Sequence, residues 1–209
     1  MKNNNIVKVI LFCGVVLLLS VLYSPVQDYY WRFRELIQPN LVEDTRELYR
    51  EKSSEYLIKV LKGGNRPLIV AAAEILKNRR DTYVVNEMIK ITNSDQYQGL
   101  RITAMHILAE IGDVRSIPIL MRFIDSGRED PQYLNALDAL SIMHYEEIYP
   151  EILEMIHDNY HISWAVDMLE RFPEKPETLP ALQRIAENDQ EWYIREKAKD
   201  AIAHINDKV

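Results

Sequence analysis

The chain has 209 residues, 47% of them hydrophobic and 27% charged, with six glycines, nine prolines and one cysteine. That is enough for one core of useful size, too little for two, and too poor in turn-formers for an all-β fold. Beyond Tyr23, 23 basic residues stand against 32 acidic ones, which makes nucleic acid a poor partner, because such binding rests on clustered Lys and Arg.

Residues 6–23 read IVKVILFCGVVLLLSVLY, eighteen residues with Lys8 as the one charge. A bilayer core takes roughly 20 helical residues, and a lysine one turn from the end can reach the headgroups. A cleavable leader needs small residues before its cleavage point, whereas this run ends Leu22-Tyr23-Ser24 ahead of Pro25. A lipoprotein signal would set a small residue before the cysteine; Phe12 precedes Cys13. The run is therefore expected to be an uncleaved transmembrane helix. The same placement leaves the rest of the chain without a disulfide, a thiolate metal site or a cysteine nucleophile.

Next come Tyr29, Tyr30, Trp31, Arg32, Phe33 and Arg34. Tyr and Trp favour the headgroup zone and Arg reaches phosphates, so this is a candidate interfacial collar; packing under the first repeat is the other reading. Lys2 and Lys8 on the short side favour a cytoplasmic tail and an extracytoplasmic folded part, with Arg32 and Arg34 pulling the other way. Residues 42–61, with Tyr56, Leu57, Val60 and Leu61 as an apolar stripe and Gly63-Gly64 as its stop, are expected to cap the membrane end.

From there the sequence repeats. Residues 100–124 read LRITAMHILAEIGDVRSIPILMRFI. A shift of 32 backwards aligns Ala72, Leu76, Asp81, Val85 and Met88 with Ala104, Leu108, Asp113, Ile117 and Leu120. A shift of 32 forwards aligns Ala136, Leu140, Met143, Pro150, Ile152 and Ile156 with Ala104, Leu108, Ile111, Pro118, Leu120 and Ile124. A slightly shorter unit carries Ala165, Leu169, Phe172, Pro180 and Leu182, and a last helix from Trp192 carries Arg195, Ala198, Ile202 and Ile205. An alanine and a leucine four apart share one helix face, the alanine admitting a neighbour closely and the leucine filling the space beside it. Pro118 and Pro150 open second helices, where a missing N–H costs nothing. Glu196, Lys197, Lys199 and Asp200 are expected to make a polar lid at the far end; a docking end that another chain completes is the other reading.

The stretch from Arg101 through Gly112-Asp113 to Leu120 resembles the HEAT repeat, in the short bacterial form also found in phycobilin-lyase-like proteins. The resemblance covers about residues 54–206, with Arg80 and His144 in place of the turn glycine. It implies an all-α, right-handed α-solenoid of about four to five helix pairs, here preceded by one transmembrane helix. The expected organisation is 1–24 anchor, 25–53 juxtamembrane and capping segment, and 54–209 repeat domain.

Signals for chemistry are weak. His106 lies on a helix face, His144 in a turn and His204 in the last turn. His157 and His161 are four apart, but Asp158-Asn159-Tyr160 reads as a connection that breaks the helix a metal pair would need. Glu129-Asp130 and Glu146-Glu147 fall at turns, as solvated charges do. No phosphate loop or nucleophile elbow is present. No catalytic residue, metal or cofactor is expected.

Second helices line the inner face of such stacks. By register the exposed inner positions are Lys90, Arg122, Glu154 and Arg184, with Glu87, Ile119, Glu151 and Ala181 one turn earlier. Their mixed signs suit a protein partner. The aromatics near helix ends, namely Tyr133, Tyr145, Tyr160, Trp164, Trp192 and Tyr193, either stand partly exposed or, most of them, pad the core between repeats, and the last two join the candidate contact set. The sequence thus points to a membrane-anchored scaffold or adaptor for membrane or envelope proteins. The alternative is a lyase- or chaperone-like enzyme acting on a chromophore or cofactor-bearing protein.

Overall fold

The computed structural model describes residues 46–63 and 66–207, all helix and connection with no strand among them. After a helical turn at 46–49 come α1 (Ser54–Gly63), α2 (Arg66–Arg79), α3 (Thr82–Thr92), α4 (Gln98–Ile111) and α5 (Ile117–Asp125). They are followed by α6 (Tyr133–Ile142), α7 (Tyr149–His157), α8 (Ile162–Leu169), α9 (Thr178–Asn188) and α10 (Trp192–Asp207). The even-numbered helices form one layer, α2 on α4 on α6 on α8 on α10, and each odd-numbered helix packs on the even one that follows it. This is a two-layer α-solenoid.

The columns that build it are those of the repeat. Ala72, Ala104, Ala136, Ala165 and Ala198 are all sealed from solvent, as are Leu76, Leu108, Leu140 and Leu169. Ile202, the last of that column, is only half-buried, and among the described residues no helix stacks on the far side of α10. In the odd layer Met88, Leu120, Ile152 and Leu182 are fully buried at matching positions. Helix α4 is the shared wall of two cores: Leu100, Ala104, Ile107 and Leu108 face the first, Met105 and Ala109 the second. Each sealed leucine contributes about 2 kcal/mol through burial, which no isolated helix pair could obtain.

Three of the four turns from even to odd helices are set by one left-handed residue, Gly112 at φ 73° and, in the equivalent places, Arg80 at φ 49° and His144 at φ 52°. Cβ makes that region costly for the two non-glycines, and His144 is held there edge-on to Phe172, 6.1 Å between ring centroids. Asp113 then caps the short turn before α5. Its Oδ1 accepts from the Arg115 backbone N–H at 3.0 Å and its Oδ2 from the Arg115 guanidinium at 2.7 Å. That guanidinium holds the carboxyl below the usual carboxylate range.

One expectation changes. Ala181, expected at an exposed inner position, is 3% exposed, because α9 turns this face into the core beside Leu182. Tyr133 is 2% exposed and belongs to the second core, where it pads the space between repeats. Within 42–61 the described residues form the turn at 46–49 and then α1, which packs on α2 and α3 in the place of an odd-layer helix. Among the described residues no helix is long and apolar enough to cross a membrane. The apolar run 6–23 and the collar of Tyr29, Tyr30, Trp31, Arg32 and Arg34 lie outside the described residues.

Candidate functional site

Side chains spaced by about one repeat tie the stack together. Arg171 Nη1 donates to Asp138 Oδ1 at 2.8 Å, Lys175 pairs with Glu146 at 2.5 Å, and Lys197 pairs with Asp167 at 2.6 Å. Inside, the Tyr149 and Thr178 hydroxyls bond at 3.0 Å. Exposed pairs of this kind contribute little singly, but their repetition holds successive pairs in one register.

The inner positions are largely engaged in such contacts. Lys90 donates to Glu87 at 2.6 Å, a bond that raises the lysine pKa, while Lys62 stands 3.8 Å from the same carboxylate. Arg122 donates to Asn93 Oδ1, and Glu154 lies 3.4 Å from Arg128. Arg184 is exposed on α9. These four therefore occupy successive odd helices, three of them within intramolecular pairs.

The densest cluster centres on Arg128, in the connection from α5 to α6. Its guanidinium donates to Asp158 Oδ2 at 2.8 Å and to Glu151 Oε1 at 3.1 and 3.2 Å. It also stands over the Tyr160 ring, 4.9 Å from the centroid. The Tyr133 hydroxyl donates to Glu151 Oε1, and the Tyr160 hydroxyl to the Arg128 carbonyl at 3.3 Å. Asp158 raises the Arg128 pKa further above its ordinary value. Burial, then Glu151, pushes the Tyr133 phenol up, and His157 followed by Arg128 holds the Asp158 carboxyl low. A cation is here clamped between an aromatic face and carboxylates, across the gap between two repeats.

One repeat further on, at the same edge of the stack, the gap is open. A cleft of about 530 Å³ lies between residues 159–164 and 188–194, walled by Trp164 and Tyr193 and lined by Asn159, His161, Asp189 and Glu191. Asn159 at φ 55° and His161 at φ 47° turn the chain sharply into α8. Trp192 and Tyr193, expected as contact residues, are 68% and 50% exposed and stand edge to face at 6.3 Å. Of the six candidate contact residues, only Tyr193 enters this cleft.

Of the histidines, His157 stands 3.0 Å from Asp158, His161 packs edge-on against Tyr160, His106 lies 3.8 Å from Asp138 and His204 lies 3.3 Å from Glu170. Among the described residues, no three His, Cys, Asp or Glu side chains gather where they could hold a metal.

Sequence reasoning passed over Arg128, Asp189 and Glu191. The available signal was a cationic residue in one odd-to-even connection with an aromatic 32 positions on, and its absence from the next connection.

Stacked antiparallel helix pairs with columns repeating every 30 or so residues define an α-solenoid. Over part of its length the chain is similar to a known family: residues 54–141, from α1 almost to the end of α6, match the family model described as HEAT repeats. Helices α7 to α10 continue the same stacking beyond that match. Among curated proteins none matches the chain.

Proposed function

We propose that this chain is a scaffold or adaptor that holds protein partners at a membrane, in the assembly or stabilisation of a cell-envelope complex. Residues 1–24 serve as the anchor, 25–53 as the juxtamembrane and capping segment with its interfacial collar, and 54–209 as an extracytoplasmic repeat domain. The observation that carries this reading is the continuous two-layer stack of HEAT type. Its repeat-spaced polar bridges give it a fixed, extended surface of the sort that protein partners use. The apolar run 6–23 supports the anchor by its length and hydropathy.

The test is chemical crosslinking of the full-length chain in its native membranes, followed by capture and mass spectrometry. A reproducible set of membrane or envelope proteins joined to the repeat domain is the expected result. Capture of a chromophore or cofactor with no protein partner would instead give the protein to the enzyme class.

A further inference from the structure

The two gaps at one edge of the stack make a matched pair. In the first, Arg128 fills the space between carboxylates and the Tyr160 ring. In the second, the described lining includes two carboxylates, Asp189 and Glu191, two aromatic rings, Trp164 and Tyr193, and no lysine or arginine. The bases nearest it do not line the cleft and are already bonded to residues of its wall and beyond. Arg195 donates to the Asp189 and Gln190 carbonyls at 2.7 and 3.0 Å, and Lys197 donates to Ser163 at 2.9 Å and Asp167 at 2.6 Å.

The wider field points the same way. Residues 129–207 carry six basic and eighteen acidic side chains, whereas residues 46–128 carry fourteen basic and ten acidic. The negative charge of the described chain is thus concentrated in the half that holds the open cleft, and such a field raises the local concentration of cationic partners.

We infer that the cleft between residues 159–164 and 188–194 receives an arginine or lysine side chain from a basic segment of a partner protein. The guest guanidinium or ammonium lies against Tyr193 and Trp164 and pairs with Asp189 and Glu191, in the manner of Arg128 one repeat earlier. The exposed Trp192 extends the aromatic surface on which the flanking peptide rests. This rests on the scaffold reading and gives it a partner class and a docking point.

The test uses the full-length chain in neutral detergent and a fluorescent octapeptide of alternating Arg and Gly, with a Glu-Gly octapeptide as its counterpart. The Arg-Gly peptide is expected to bind and the Glu-Gly peptide to fail. Neutralising Asp189→Asn with Glu191→Gln should weaken binding by about tenfold or more. Tyr193→Ala, which keeps every charge, should also weaken it, by about threefold or more. Glu174→Gln with Glu177→Gln removes the same charge at the opposite edge and should change binding less than about twofold. Circular dichroism confirms that each variant is folded.

Equal losses from the two double variants would reduce the effect to diffuse charge and overturn the cleft as the site. Equal binding of both peptides would overturn it as well. Concentration-dependent self-association abolished by Asp189→Asn with Glu191→Gln would make a second copy the occupant and overturn the separate partner. Envelope proteins still captured by that double variant, with peptide binding unchanged, would sink this inference and leave the scaffold standing. Peptide binding without any captured protein would do the reverse.

Discussion

The filled gap at Arg128 and the open gap at Tyr193 come from the same architecture and differ in whether an arginine of the chain's own connection fills them. In the first, a cation supplied by the chain's own connection joins α5–α6 to α7 and its exit, and the edge is closed. In the second, the corresponding connection reads Asp158-Asn159-Tyr160-His161 and brings no lysine or arginine into the cleft, where Glu191 is exposed and Asp189 is half-buried, its Oδ1 accepting from the Glu191 backbone N–H at 2.9 Å. A repeat architecture can therefore close an edge gap with its own cation or leave it open without altering its core.

Substitutions separate the joint from the core beneath it. Leu140→Ala empties a fully buried place in the leucine column of the even layer and should lower stability by about 3 kcal/mol in urea unfolding. A loss under about 1 kcal/mol would mean that the column does not carry the stack. Arg128→Ala opens the filled gap, leaves Glu151 without its guanidinium, and should cost about 2 kcal/mol. If stability is unchanged, the clamp is ornamental and the comparison with the open gap fails. Tyr133→Phe removes only the hydroxyl that donates to Glu151 and should cost about 1 kcal/mol by the same assay.

The smallest effect is a pH dependence. His157 and Arg128 hold the Asp158 carboxyl below its unfolded value, so its ionised form stabilises the fold above the ordinary carboxylate range. That contribution is lost as pH falls through the depressed folded value. Unfolding midpoints at about pH 6 and about pH 3 should therefore lie further apart in the wild type than in Arg128→Ala. Equal separation would show that Arg128 does not hold Asp158 ionised.

Much of the core was legible because helix geometry is rigid. An alanine and a leucine four apart must share a face, and Ala72, Ala104, Ala136, Ala165 and Ala198 all ended buried. The left-handed turn was also written in register, with Arg80 and His144 standing where Gly112 stands. The edge was not legible. Whether Arg128 reaches Glu151 depends on the path of an irregular connection that no periodicity fixes. Tyr133 sits at a helix start, where exposure and core padding both remain open from sequence; the hydrogen bond its hydroxyl donates to Glu151 is what permits its burial. Ala181 follows Pro180 in the first turn of α9, where a small change of helix phase swaps inner face for core. The split of charge between the halves was present in the residues and hidden by the whole-chain net.

The central claim, that this edge of the stack is where a partner docks, is tested most directly by photo-crosslinking in native membranes. The full-length chain would carry p-benzoylphenylalanine at position 193 and, in a separate preparation, at position 177 on the opposite edge. The account predicts one or a few proteins joined at position 193, through peptides with Arg or Lys beside the crosslink, and little joined at position 177. Crosslinks equal at both positions, or none at position 193, would contradict it.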